Sequence, residues 1–200
     1  MQKQALVLVG LVLLLIVFVA LISALWPRSE EKFVELGLLG KDQKAEGYFV
    51  NDNPTLEVGS QVDWYIYLHN HMGSEQYASV RIKLLNSTME VPNDQEHNPS
   101  PYASITEFPV HFAVNDTELI PFSWGVSDAV YQNDSIIIEH LVVNGQTVDV
   151  NVSASGNPHF YLVFELWVYD HSSNEYKFGW ESGKGFVSAS VNMWFNVSLS

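Results

Sequence analysis

The chain predicts an all-β fold: an antiparallel immunoglobulin-like β-sandwich preceded by one N-terminal transmembrane helix. Three observations carry this. Hydrophobic residues recur with period two over most of the chain beyond Pro27, the pattern of strands with one wet face. Asn144-Gly145 separates two such runs, Ile136–Val143 and Gln146–Val152, and this pair is the turn chemistry of a tight hairpin. From Ala5 to Trp26 there is no charged residue, and beyond that segment no stretch sustains helical periodicity.

The apolar segment comes first. Its 22 residues, at about 1.5 Å each, give roughly 33 Å of helix against a hydrocarbon core of about 30 Å. Trp26 stands where an interfacial aromatic belongs, and Pro27 stops the helix. A cleaved signal peptide would have an apolar run of only about 7–15 residues and a small-x-small site. Ile22-Ser23-Ala24 is a poor one. Residues 1–27 are therefore read as an uncleaved anchor and residues 28–200 as the domain.

Orientation is not settled by positive charge, since Lys3 and the amino terminus before the span are balanced by Arg28 and Lys32 after it. Sequons break the tie. Asn86, Asn115, Asn133, Asn151 and Asn196 each head an Asn-x-Ser/Thr tripeptide, while those at Asn53 and Asn98 are spoiled by proline. Five usable acceptors beyond the span place the domain outside the cytoplasm, with the N-terminus inside. The expected location is the cell membrane.

The strands follow in order. Gln61–His69 turns Val62, Trp64, Ile66 and Leu68 to one face and Asp63, Tyr65, Tyr67 and His69 to the other. Tyr77–Leu85 puts Ala78, Val80, Ile82 and Leu84 inside and Ser79, Arg81 and Lys83 outside. Glu107–Val114 buries Phe108, Val110, Phe112 and Val114. His159–Asp170 is apolar on both faces except Glu165, which marks a central strand covered on both sides. From Val187 to Leu199 every second residue is apolar. Seven to nine strands are expected, with Trp64, Ile66, Val80, Phe112 and Val191 in the core. Truncating Ile66 should cost about 2–5 kcal/mol, and truncating Lys83 on the wet face under about 0.5 kcal/mol. Asn151 and Asn196 fall on polar faces and Asn86, Asn115 and Asn133 in turns. The connection from Asn86 to Ser104, with Pro92, Pro99 and Pro101, is long for a compact domain and reads as a mobile loop.

The run from Phe33 to Gly40, then Ala45–Tyr48, Leu56–Gly59 and the ending Leu68-His69-Asn70-His71, resembles an archaeal membrane-anchored family catalogued as domain of unknown function 1616. Tyr77, Phe160–Leu166, Glu175-Tyr176 and Met193–Val197 extend the likeness, which covers roughly residues 33–85 and 159–198. The resemblance implies an extracytoplasmic archaeal β-sandwich. It implies no activity and no functional residues.

Charge and chemistry narrow the function. Asp and Glu outnumber Lys and Arg 23 to 9, a formal charge of −14 that repels nucleic acid. Cysteine is absent, which removes disulfides, thiolate metal sites and thiol catalysis. No Gly-x-Ser-x-Gly occurs, Gly183-Lys184-Gly185 reads as a turn, and Asn51-Asp52-Asn53 lacks the spaced acids and glycine of a calcium loop. No enzyme activity and no cofactor are expected. His69 and His71, two apart in an extended chain, point the same way and form the candidate metal corner. Glu96-His97, Glu139-His140 and Asp170-His171 are not read as acid–His pairs, because neighbours on a regular strand face opposite sides. Tyr65, Tyr67 and Trp194 on nominally wet faces are the candidate contact surface. The expected role is a structural or interaction protein, an accessory subunit of a membrane or cell-surface complex. Its expected partners are lipid through residues 5–26 and a membrane or cell-surface protein, and the alternative is a metal- or ligand-binding module.

Overall fold

A computed structural model of the protein describes residues 14–19, 21–22, 31–156 and 159–199. The chain divides into two units, Met1–Glu30 and Glu31–Ser200. In the first, residues 14–19 and 21–22 are helical with exposed side chains. Among the described residues no helix is long and apolar enough to cross a membrane. Most of the span expected over residues 5–26 lies outside the described residues.

The second unit is almost entirely β. One sheet has the order β1 (Val34–Leu39), β3 (Val62–Asn70), β6 (Thr117–Gln132), β7 (Ser135–Val143), β8 (Gln146–Ser155), all antiparallel. The other runs β2 (Thr55–Glu57), β13 (Ser190–Ser198), β9 (Phe160–Asp170), β4 (Gln76–Asn86), β5 (Thr106–Phe112), with β10 (Glu175–Phe178) also on β9. Its pairs are antiparallel except β2 with β13, which is parallel. A small ribbon joins β11 (Trp180–Glu181) to β12 (Phe186–Val187). Four short strands (β2, β10, β11 and β12) account for the excess over the expected number.

The two sheets bury one core between them. In β3 the side chains alternate buried and half-buried along the whole strand, as the sequence pattern requires. Trp64 is the hub: its ring meets Trp124 and Phe122 of its own sheet and Phe164 of the opposite one, and its Nε1–H donates to the Tyr48 carbonyl at 2.6 Å. Phe195 closes on Trp124 from across the core. Ile66, Val80 and Phe112 are buried as expected. Val191 is only half-buried, and Val114 is exposed because β5 ends at Phe112 and Val114 falls in the turn that follows. The Asn144-Gly145 turn forms as predicted, with positive φ at both residues (47° and 80°), the conformation that this pair tolerates best. In β6, a Cβ on Gly125 would lie 2.1 Å from the Ser60 carbonyl oxygen, so this position admits glycine alone.

The outer face of the second sheet departs from expectation. Lys83 is buried at 4% exposure, not solvated, and Glu165 is fully buried. The 86–104 connection covers both. Ser100 donates its backbone N–H to Glu165 Oε1 at 2.7 Å and accepts from the Lys83 ammonium through its carbonyl. The strap is pinned further along. The Asp94 carboxylate accepts from the Ser190 N–H and hydroxyl, its carbonyl accepts from the Ser188 hydroxyl, and Asn93 pairs with Asn98. This connection is a packed cover, and the length that made it read as mobile is what lets it reach across the sheet.

Candidate functional site

The His69–His71 corner forms where the alternation places it. His69 lies in β3 and His71 one residue past its end, with ring centroids 4.1 Å apart. His69 Nδ1 is 2.6 Å from the Thr117 hydroxyl; His71 Nε2 is 3.5 Å from Glu35 Oε1, and Phe33 stacks on the His71 ring. The two imidazoles are therefore held by neighbours on β1 and β6. Between them Asn70 is fully buried. Its Nδ2 donates to the carbonyls of Ser74 and Ala113, and its Oδ1 accepts from the Met72 N–H, so one amide ties the β3–β4 and β5–β6 connections together. The sequence reading passed over this residue for the flanking histidines.

Among the described residues, three metal-capable donors come within 4.8 Å of one another at Asp128, Glu139 and His140. The cause is a bulge crossing three strands. The β6–β7 register slips around Asp128, and Glu139 is left without a partner on either neighbour. A bulge lets consecutive side chains emerge on one side of the sheet, so the adjacency of Glu139 and His140, discounted on regular-strand geometry, becomes a real juxtaposition. His140 Nδ1 lies 3.6 Å from Asp128 Oδ2 and Nε2 3.2 Å from Asp149 Oδ1. A ligating histidine commonly turns its other nitrogen to a carboxylate, as Nε2 does here to Asp149. With a carboxylate facing each nitrogen, the His140 ring bridges β6, β7 and β8 as a clasp.

The contact residues are less uniform than the alternation implied. Tyr65 and Tyr67 are half-buried; the Tyr67 hydroxyl donates to Glu35 Oε2 at 3.1 Å, and burial followed by Glu35 raises its pKa above the ordinary tyrosine value. Trp194 is open at 45% exposure. It borders a groove of about 310 Å³ shared with Tyr48, Phe49, Pro54 and Met193. At the other end of the same sheet, Tyr77 stacks on His111, His171 meets both Tyr77 and Tyr169 edge-on, and the Arg81 guanidinium sits 3.9 Å over the Trp167 ring. A second cavity of about 410 Å³ opens beside them, with Met72, Trp180 and Phe186 among its walls and Asp170 and Lys177 at its polar side. The Asp170 carboxyl is held well below the usual range by the Lys177 ammonium first and by the Ser172 hydroxyl and N–H next; Lys177 is raised in turn. Asn51–Asn53 is a turn, its Asn53 Oδ1 accepting from the Thr55 N–H, and Gly183–Gly185 turns between β11 and β12.

The sequons separate into two groups. Asn115, Asn133 and Asn151 are exposed with φ of 59°, 52° and 53°. Asn86, at the end of β4, donates its Nδ2 to the Ser153 carbonyl at 2.6 Å. Asn196 is half-buried, and its Oδ1 is shut off from solvent with no hydrogen-bond partner among the described residues.

No protein-family profile matches the chain, and no curated protein does. Among solved structures it is similar to the CARDB domain of the PF1109 protein from Pyrococcus furiosus, determined in complex with di-metal ions. Identity is 7% and the TM-score 0.41, over 87% of this chain and 100% of that one. The likeness is too slight to carry those ions over to this chain.

Proposed function

We propose that the protein is a single-pass, membrane-anchored extracytoplasmic domain that works by contact, as an accessory or structural subunit of a membrane or cell-surface assembly. The uncharged run over residues 5–26 supports the anchor, and the exposed apolar side chains of the helical residues 14–19 are what a lipid-facing segment would present. The sequons beyond the span support N-in, C-out topology. The immunoglobulin-like build belongs to this reading. The order β1-β3-β6 faces β13-β9-β4-β5, and the parallel β2/β13 pair closes one edge, with β7–β8 as an added hairpin. The archaeal family resemblance fits the same placement.

The observation that carries the contact reading is Trp194. A large ring left 45% exposed beside an aromatic-walled groove has the character of an interface anchor. Trp194→Ser in the full chain should leave folding intact and remove the protein from its native-membrane complex on a non-denaturing gel. Unchanged migration would contradict the reading.

Metal binding is the second reading, favoured by the donor spacing at Asp128, Glu139 and His140 more than by His69 and His71. It ranks lower because Asp128 and Asp149 lie at the surface, where acidic groups commonly gather without an ion.

A further inference from the structure

We infer that three of the five sequons, Asn115, Asn133 and Asn151, are the N-glycan acceptors of the folded domain, and that Asn86 and Asn196 stay bare. The inference rests on the extracytoplasmic placement proposed above. A sequon alone does not discriminate among the five; the environment of each amide does.

At Asn115, Asn133 and Asn151 the side chain stands in solvent, and its amide makes no hydrogen bond to the described residues. Each has positive φ, which places it at a corner of the backbone: the β5–β6 connection, the tip of the β6–β7 hairpin, and the bulge on edge strand β8. A sugar leaving these positions meets water. At the half-buried Asn86 the reacting nitrogen is engaged, donating to the Ser153 carbonyl oxygen at 2.6 Å. Its Oδ1 accepts from the Thr88 N–H and hydroxyl and the Met89 N–H, so the amide is locked from both ends. At Asn196 the amide carbonyl is out of solvent on β13, whose backbone N–H at this residue is taken by Pro54 on the neighbouring segment.

The chemistry is transfer of an oligosaccharide from a lipid-linked phosphate or diphosphate donor. The asparagine Nδ2 attacks the anomeric carbon and a C1–N bond forms. The C1–O bond to the carrier breaks, the lipid phosphate departs with the bonding electrons, and the amide proton passes to the transferase base.

The sorting has a direction. The bare sequons lie on β4 and β13 of the second sheet, and none of the three acceptors lies on β4, β9 or β13. Glycans would coat the β5–β6 connection, the β6–β7 hairpin tip and the edge of the first sheet, and leave the Trp194 groove uncovered. The surface proposed for contact is the one that the acceptors avoid.

The test expresses the full chain, with a reporter sequon appended after Ser200, in a host that glycosylates exported proteins, and maps glycopeptides by mass spectrometry. The expected result is a modified reporter with sugar at Asn115, Asn133 and Asn151 and none at Asn86 or Asn196. A modified reporter with sugar at Asn86 or Asn196, or with the other three bare, overturns the inference while keeping the outside placement. An unmodified reporter removes the placement and the inference with it. Asn133→Gln and Asn151→Gln should each delete one glycan from the mass of the intact protein; deletion by Asn86→Gln instead would also overturn it.

Discussion

The Lys83 ammonium lies 2.8 Å from Glu165 Oε2, with both side chains withdrawn from solvent beneath the 86–104 strap. Glu165 is bonded at both oxygens: Oε2 also accepts from the Trp167 Nε1–H at 3.0 Å, and Oε1 accepts from the Ser100 N–H. A buried pair of this kind is weak evidence of net stabilisation, yet removing one partner strands the other.

Lys83→Ala should therefore cost about 3–5 kcal/mol, comparable to about 2–5 kcal/mol for Ile66→Ala. The double replacement Lys83→Met with Glu165→Gln should recover part of the loss, because neither charge is then left buried and the amide oxygen still accepts from a donor that Glu165 serves. Urea unfolding of the three variants checks this. A Lys83→Ala cost under about 0.5 kcal/mol, the value for an ordinary surface site, would mean that the strap does not cover the pair.

The strand phases were legible in the sequence because period-two alternation is a local property, and Trp64, Ile66 and Leu68 sit where it places them. Lys83 was misread for the same reason. Alternation says which residues share a face, and it is silent on whether a distant segment covers that face. His140 failed differently. The rule that neighbours face apart holds only on a regular strand, and no feature of Ser135–Val143 announces the bulge at Glu139. Asn70 gave no pattern at all, since its partners Ser74 and Ala113 are brought to it by two separate connections.

Asn70→Ala should destabilise by at least about 1–3 kcal/mol, because the carbonyls of Ser74 and Ala113 and the Met72 N–H lose their partner in a dry site. His69→Ala and His71→Ala, on the half-buried rim, should each cost less. Thermal unfolding of the three variants gives the ranking. A histidine variant less stable than Asn70→Ala would move the centre of this corner from the amide to the rings.

The Asp170–Lys177 pair predicts a pH response at both extremes. Asp170 is depressed, so its contribution is present above the unfolded carboxyl value of about 3.9 and is lost as pH falls through the lower folded value. Lys177 is raised, so its contribution is full below about 10.4 and is lost as pH rises through the folded value. The Asp170 carboxyl resonance should titrate below 3.9 and move upward in Lys177→Met. An ordinary midpoint in both proteins would remove the pair.

At the bulge, the clasp reading predicts that the full chain, purified in detergent and titrated with zinc, takes up no stoichiometric ion at Asp128, Glu139 and His140. His140→Gln should loosen β8 and speed amide exchange along Gln146–Ser155. Retained zinc that is lost in His140→Gln would favour the second functional reading.

The contact claim itself is tested most directly by photocross-linking in intact membranes. A photoreactive residue replaces Trp194 in one variant and the half-buried Tyr65 in another. The account predicts a discrete heteromeric adduct from position 194 and little from position 65. Recovery of only the protein itself, or of nothing, from position 194 would contradict it.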